Sequence, residues 1–192
     1  MNNIDFSLYK TIAFGPGLGR QVDGAVLLRQ LLAKLTGQAL IIDADGLYFA
    51  RDLLEELRGY EGDIILTPHP GEMAHLTGFT VAEIEKNRLP IAKQFAQNYG
   101  VYLLLKGHRP IITTPSGEQF INPFGNDALG KGGSGDVLTG FIASFIAQGA
   151  STVNALIAAS YYHANAAEEV GKELSNYGVT PLDLIEYVRR TL

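Results

Sequence analysis

The sequence contains no cysteine, which excludes disulfide bonds and cysteine-ligated zinc sites. No run of lysine and arginine is longer than Arg189-Arg190, so the basic stripe typical of a nucleic-acid-binding protein is absent. No apolar stretch approaches the roughly 18 residues that a membrane span needs, and residues 1–10 lack the basic head and apolar run of a signal peptide. These absences predict a soluble cytoplasmic protein that binds neither nucleic acid nor membranes.

The composition is that of a well-buried globular protein. Of the 192 residues, 46% are hydrophobic and 18% are charged, and the formal net charge is -5. A chain of this length and hydrophobicity can bury a substantial core. It contains no internal repeats and no linker rich in proline or serine. We therefore expect one domain over residues 1–192.

Segments with the pattern of strands alternate with segments whose apolar residues recur at helical spacing. Strands are predicted over 9–15, 39–46, 63–72 (ending in a proline-rich turn) and 101–107. Helices are predicted between them over 22–35, 47–57 and 80–98. A hairpin over 110–122 precedes helices over about 134–148, 152–170 and 181–191. This order predicts an α/β layered fold, with helices flanking a mostly parallel central sheet.

Two helix starts carry specific signals. Thr80 and Glu83 have the spacing of a capping box, in which each side chain binds the backbone N–H of the other residue. Thr180 precedes Pro181, and proline is favoured at the first helical position because its missing N–H is not needed there. Both patterns predict helices that begin at these points.

Four polar or glycine-rich loops follow the predicted parallel strands: "GPGLG" (15–19), "DADG" (43–46), "TPHPGE" (67–72) and "KGHRP" (106–110). In open α/β sheets, ligands bind beyond the carboxyl ends of the strands. Taken singly, each loop could be an ordinary turn. Together on one edge, they predict a ligand site.

A fifth glycine-rich segment, "GKGGSGD" (130–136), leads directly into a helix with an apolar stripe. Glycines let successive backbone N–H groups converge on one anion, and the positive end of the helix dipole favours negative charge. The segment therefore predicts a phosphate or oxyanion site. Asp136 lies at the junction, where it could cap the helix or act as a general base beside the bound anion.

The combination of "AFGPGLG", "IIDADGL", "LTPHPGEMAHLTG", "LLLKG" and "GNDALGKGGSGDVLTG" resembles the ADP/ATP-dependent NAD(P)H-hydrate dehydratases, the C-terminal domain of YjeF-type proteins. These belong to the ribokinase-like superfamily, whose anion hole and catalytic aspartate resemble "GGSGD". The resemblance implies a ribokinase-like fold. It also implies a repair reaction in which the hydrate of NADH or NADPH is phosphorylated at its hydroxyl and then loses phosphate.

The resemblance also implies roles for individual residues. The catalytic base would be Asp136, and the anion hole would comprise Gly132, Gly133, Ser134 and Gly135. The hydrate would contact Gly17, Gly19, His69 and Asp136. The nucleotide would contact Lys106, Gly107, His108, Arg109, Pro110, Asn126, Gly130, Lys131 and Gly135. Glu72 would bind Mg²⁺ through water, a hard-oxygen arrangement that suits this ion.

The resemblance further implies ADP or ATP as phosphoryl donor, with ADP favoured, and a homo-oligomer. Several alternatives stay open. His69 is either a substrate contact or a hydrogen-bonded turn residue. Asp43 and Asp45 either face the substrate or metal, or cap the helix that follows. His108 is expected on the surface of the nucleotide loop, and His163 is expected to be structural.

Family members carry further strands and helices before the "GPGLG" segment, so we expect the first part of the family's sheet to be missing here. Two other functions remain open. One is a ribokinase-like kinase of a vitamin precursor such as hydroxyethylthiazole or hydroxymethylpyrimidine. The other is a truncated, inactive nucleotide-binding protein. The stretches "HPGE" and "DADG" favour the dehydratase over the vitamin kinases.

Overall fold

The computed structural model describes residues 4–192 and contains one six-stranded sheet within them. The strands follow chain order across the sheet: β1 Thr11–Phe14, β2 Ala39–Ile42, β3 Ile64–Leu66, β4 Tyr102–Leu105, β5 Ile111–Thr113 and β6 Gln119–Ile121. Strands β1 to β4 are parallel, and β5 and β6 add an antiparallel hairpin at one side. The predicted mostly parallel sheet with one late hairpin is confirmed.

Nine α-helices lie within the described part of the chain: α1 Gly24–Leu32, α2 Asp45–Ala50, α3 Leu54–Arg58, α4 Pro70–Thr77, α5 Val81–Lys86, α6 Arg88–Tyr99, α7 Ser134–Ala147, α8 Thr152–Gly178 and α9 Pro181–Thr191. Short 3₁₀ turns cover Phe6–Leu8, Arg51–Leu53 and Asp127–Gly130. No helix in residues 4–192 is long and apolar enough to cross a membrane.

The helices cover both faces of the sheet. Along β2, the side chains of Leu40 and Ile42 pack into the layer formed by α1 to α6, whereas Ile41 packs on the opposite face against α7 and α8. Such strands are apolar at every position because both of their faces are buried. A third apolar cluster joins α8 to α9 through Leu184 and Val188.

The helix starts predicted at Thr80 and Thr180 are confirmed, since each residue forms a complete capping box. The single helix predicted over 80–98 is wrong. Asn87 has the non-helical angles φ −130° and ψ 38°, and it separates α5 from α6. The helix predicted over 47–57 is likewise interrupted by the 3₁₀ turn. The helix predicted over 152–170 continues to Gly178, with a kink at Ser175, where φ is 61°.

The proline-rich turn predicted after β3 is in fact the start of α4. Pro70 occupies the first helical turn, and His69 is the N-cap. Proline suits this position, although the same residue within a strand pattern suggests a turn. The consequence for the site is that α4 places His69 and Glu72 at the carboxyl end of β3.

Candidate functional site

A cavity of about 630 Å³ opens at the carboxyl ends of the parallel strands. Its walls come from the loops after β2, β3, β4 and β6 and from the start of α7. Of the predicted site residues, it brings together His69, Lys106, Gly107, His108, Arg109, Pro110, Asn126, Gly130, Lys131, Gly132, Gly133, Ser134, Gly135 and Asp136. Gly17, Gly19 and Glu72 are not among the residues that line it.

The glycine-rich segment forms an open cradle of backbone N–H groups at the start of α7. Gly133 is the N-cap and has φ 88°, a left-handed conformation that favours glycine. The N–H of Ser134 donates to the carbonyl oxygen of Lys131. Those of Gly132, Gly133, Gly135 and Asp136 have no acceptor among the described residues. This arrangement can bind an anion, as helix starts do.

Gly135 matters for the free space beside it rather than for its backbone conformation. It is helical, and a Cβ at this position would lie 3.4 Å from Lys106 Nζ and 3.6 Å from Asp43 Oδ2. A larger side chain would project between the cradle and the ammonium group of Lys106. The glycines therefore serve two purposes: a left-handed turn at Gly133 and free space at Gly135.

Asp136 is the third residue of α7 and is exposed to the cavity. It makes no hydrogen bond or ion pair with the residues that the structure describes. The helix is capped at Gly133, with no side-chain hydrogen bond, so the alternative in which Asp136 is a helix cap is wrong. A carboxylate without a protein partner, adjacent to free N–H groups, can accept a proton from a ligand.

Lys106, at the end of β4, is held in place by buried polar groups. Its Nζ lies 2.8 Å from Asp43 Oδ1, and the hydroxyl of Thr139 donates to Asp43 Oδ2 at 2.9 Å. Asp43 is only 1% exposed, so its charge needs both partners. Glu72 Oε2 lies 3.6 Å from the same ammonium group. The structure thus uses Asp43 to orient a cation toward the cavity.

Asp45 has a different role from Asp43, and its side chain does not cap α2. It accepts hydrogen bonds from the N–H of Gly19 at 2.9 Å and from Nε of Arg20 at 3.3 Å. The "GPGLG" loop is thereby tied to the loop after β2. The contact is close, because a Cβ on Gly15 would lie 1.9 Å from the carbonyl oxygen of Asp43.

His69 and Glu72 form a capping box at the start of α4. His69 Nδ1 accepts from the N–H groups of Gly71 and Glu72, and Glu72 Oε2 accepts from the N–H of His69 at 2.7 Å. The hydrogen-bonded role left open for His69 is therefore present, and the residue also lines the cavity. Within residues 4–192, no group of three or more histidine, aspartate or glutamate side chains could hold a metal ion.

Arg88, at the start of α6, supports the loop after β4 from behind. Its NH2 donates to the carbonyl oxygens of Leu105 and Lys106, at 3.1 and 3.0 Å. Its NH1 donates to the carbonyl oxygen of His108 at 2.5 Å. The sequence does not indicate the role of Arg88, because an arginine at a helix start has no local pattern that identifies its partners.

His163 lines the far wall of the cavity from α8, and its Nε2 lies 2.9 Å from the hydroxyl oxygen of Ser134. Burial lowers the pKa of His163 to about 4, and the nearby Lys106 charge acts in the same direction. The histidine is therefore neutral near pH 7. Burial and this contact agree with the structural role expected for His163, and through Ser134 the histidine also supports the anion cradle.

Asn126 and Lys131, both predicted nucleotide contacts, bind the neighbouring helices. Asn126 caps the following 3₁₀ turn and donates to the carbonyl oxygen of Ala167 at 2.9 Å. The ammonium group of Lys131 donates to the carbonyl oxygens of Tyr177 and Val179. These contacts anchor the segment between β6 and α7 to the middle of α8 and to its C-terminal end.

The parallel sheet and the cradle at the start of α7 define a ribokinase-like protein. A ribokinase-like superfamily protein from Enterococcus faecalis superposes with a TM-score of 0.80 at 31% identity, over 91% of this chain and 60% of that chain. The NAD(P)H-hydrate dehydratase family matches residues 2–190, and the chain belongs to that family.

Two named members are similar to it. The bifunctional NAD(P)H-hydrate repair enzyme of Moorella thermoacetica is 40% identical over 184 residues, which are 94% of this chain and 34% of that protein. The ADP/ATP-dependent NAD(P)H-hydrate dehydratase of Bacillus subtilis, crystallised with ATP and Mg²⁺, superposes with a TM-score of 0.82 at 33% identity. That match covers 94% of this chain and 63% of that one.

The chain thus spans about a third of the length of the bifunctional relative and less than two thirds of the solved dehydratase. This agrees with the expectation that part of the family's fold is not represented in this sequence. Strand β1 forms one edge of the described sheet.

Proposed function

We propose that this site phosphorylates the hydrate of NADH or NADPH at its hydroxyl, with ADP or ATP as phosphoryl donor. Elimination of phosphate then restores the reduced dinucleotide. The observation that carries the proposal is the unpartnered Asp136 carboxylate beside the free N–H groups of the α7 cradle. Membership of the NAD(P)H-hydrate dehydratase family supports the choice of substrate.

In the first step, the hydrate oxygen bonds to the terminal phosphorus of the nucleotide while the bond from phosphorus to the bridging oxygen breaks. Asp136 accepts the hydroxyl proton. The N–H groups of Gly135 and Asp136, together with the Lys106 ammonium, are placed to stabilise the charge on the transferred group. In the second step, the carbon–oxygen bond breaks and a proton leaves the adjacent ring carbon. With ADP, the products are NAD(P)H, AMP and phosphate.

Glu72 does not line the cavity, but its Oε2 lies 3.6 Å from the cavity-lining Lys106 Nζ, close enough to help hold a Mg²⁺ ion that is bound mainly by the nucleotide. Mg²⁺ usually keeps several waters and is held by one or two carboxylates plus substrate phosphates. Glu72 can take this role through water, whereas the described residues form no metal site of protein ligands alone. When bound, the ion would neutralise charge on the phosphates.

The test is the replacement of Asp136 by asparagine, which preserves the shape of the side chain but cannot accept the proton. We expect the variant to fold and to bind nucleotide as the wild type does, with turnover reduced by about 10²- to 10⁴-fold. Turnover is followed by the absorbance of restored NAD(P)H, with ADP and with ATP in parallel. ADP is expected to be the better donor.

Near-normal kcat in the Asp136→Asn protein would remove the general-base assignment. Phosphorylation of added hydroxyethylthiazole or hydroxymethylpyrimidine by the wild type, without restored NAD(P)H absorbance from the hydrate, would favour a kinase of another small alcohol. If the wild type binds nucleotide and shows neither reaction, the chain alone is an inactive binding module.

A further inference from the structure

Arg20 follows the "GPGLG" loop after β1 and is held in a defined orientation by Asp45, which comes directly after the cavity-lining residues Asp43 and Ala44. Its Nε donates to Asp45 Oδ1 at 3.3 Å, and its guanidinium carbon lies 4.5 Å from the centre of the Tyr48 ring. Tyr48 stacks in turn on His75, with ring centres 4.6 Å apart and planes inclined by 7°. The stack reduces the conformational freedom that the arginine would lose on binding a ligand.

The guanidinium still has binding capacity. Both terminal NH₂ groups lack a partner among residues 4–192, and the side chain is 65% exposed. The planar fork of an arginine matches phosphate oxygens in a bidentate manner. The adjoining loop is also open, because no atom lies within 4 Å of a Cβ built on Gly17 or on Gly19.

The layout of the sheet indicates which ligand reaches this side. The segments expected to hold the nucleotide follow β4 and β6, whereas the cradle at the start of α7 lies over Asp43 at the end of β2. A cavity of about 630 Å³ is of the size that takes one drug-sized ligand. A nucleotide and a complete dinucleotide together exceed it. Because the nucleotide segments lie toward β4 and β6, a second ligand bound at the cradle has room to extend to the other side of the sheet, toward the loop after β1.

We propose that Arg20 binds a phosphate group of the dinucleotide substrate and so contributes to substrate specificity. This inference rests on the proposed function, since it assumes that the second ligand is a NADH or NADPH hydrate. Every such dinucleotide carries a pyrophosphate, and the NADPH form adds a phosphate on the 2′-oxygen, a group that arginine accommodates in other dinucleotide sites.

The test compares Arg20→Met and Arg20→Lys with Arg29→Met as a matched control. Arg29 is also an exposed arginine, but it pairs with Glu56 on the outer surface of α1. We expect Arg20→Met to raise KM for the hydrate by roughly 10- to 150-fold, the range of a charge-assisted hydrogen bond. The values of kcat and of Kd for ADP stay unchanged. Arg20→Lys retains the charge without the fork, and its effect is intermediate.

The two hydrates distinguish the phosphate involved. An equal rise in KM for both identifies the pyrophosphate, and a rise confined to NADPH hydrate identifies the 2′-phosphate. If KM for both hydrates is unchanged in Arg20→Met, the inference is overturned while the proposed function stands.

Calorimetric binding of NADPH, which carries the same phosphates, gives a readout without turnover. Weaker NADPH binding by Arg20→Met, with ADP binding retained, supports the site even if the wild type shows no hydrate turnover. Equal NADPH binding by the wild type and Arg20→Met overturns the inference. The inference is also overturned if the wild type binds ADP but binds neither NADPH nor the hydrate.

Discussion

Replacement of Gly135 by valine would fill the space between the start of α7 and Lys106. The Cβ itself would make ordinary van der Waals contact, 3.4 Å from Lys106 Nζ. The two methyl groups would extend further, into the region where a phosphate could contact both the cradle and the ammonium group. Loss of one charge-assisted hydrogen bond costs about 1.5 to 3 kcal/mol. We therefore expect Kd for ADP to rise by roughly 10- to 150-fold.

Gly140→Val is the matched control, because it makes the same change further along α7, where no atom lies within 4 Å of the added Cβ. Calorimetric titration with ADP and a thermal melt on each preparation separate binding from folding. We expect Gly140→Val to bind ADP like the wild type. A folded Gly135→Val protein with wild-type affinity would refute the assignment of this helix start as the phosphate site.

Two further variants test the groups around Lys106. In Glu72→Gln the amide oxygen can still accept the N–H of His69, so the capping box is preserved and metal-free nucleotide binding is retained. The negative oxygen ligand is lost, so we expect Mg²⁺-dependent activity to fall. A Mg²⁺ titration of the rate checks this, and an unchanged titration would leave Glu72 with the capping role alone. Arg88→Met leaves the carbonyl oxygens of Leu105, Lys106 and His108 without this donor. We expect Arg88→Met to bind ADP more weakly than the wild type, and Arg88→Lys to recover part of the affinity. Equal ADP affinity in the wild type and both variants would show that the loop after β4 does not depend on Arg88.

The sheet and the edge that carries the cavity could be predicted from the sequence because their signals are local. A buried parallel strand is a continuous apolar run, and the glycine-rich loops directly follow such runs. The capping boxes at Thr80 and Thr180 depend on residues three positions apart, and both predictions are confirmed. The start of α4 is not predictable in this way, because Pro68 and Pro70 flank a histidine, which is an unusual N-cap, and the pattern favours a turn.

The polar partners of the site could not be predicted in this way. Thr139 lies 96 positions from Asp43, and His163 lies 29 positions from Ser134. Such pairs come into contact only when α7 and α8 pack on the sheet. Neither Thr139 nor His163 belongs to a periodic pattern that predicts its partner. The structure thus adds the support for Lys106 and Ser134, whereas the sequence could indicate only the glycine-rich loops and the exposed carboxylate.

His163 makes the stability of this protein dependent on pH in a predictable direction. Burial lowers the pKa of its folded form to about 4, from an ordinary value of 6.5. Above pH 6.5 the histidine is neutral in both the folded and the unfolded state, and its contribution is fully present. Between pH 6.5 and 4 only the unfolded chain takes up the proton, so the free energy of unfolding falls, by roughly 3 kcal/mol over the whole interval.

Carboxylates whose pKa is lowered in the fold, such as Glu83 and Asp183, contribute to acid sensitivity mainly below their unfolded values of 4.5 and 3.8. The interval from pH 6.5 to 4.5 therefore isolates the histidine from these groups. His163→Gln retains a side-chain amide that can contact Ser134 but does not titrate. Denaturant unfolding of both proteins across this interval should show a steeper loss of stability in the wild type. Parallel curves would mean that His163 is not the buried neutral group that the structure indicates.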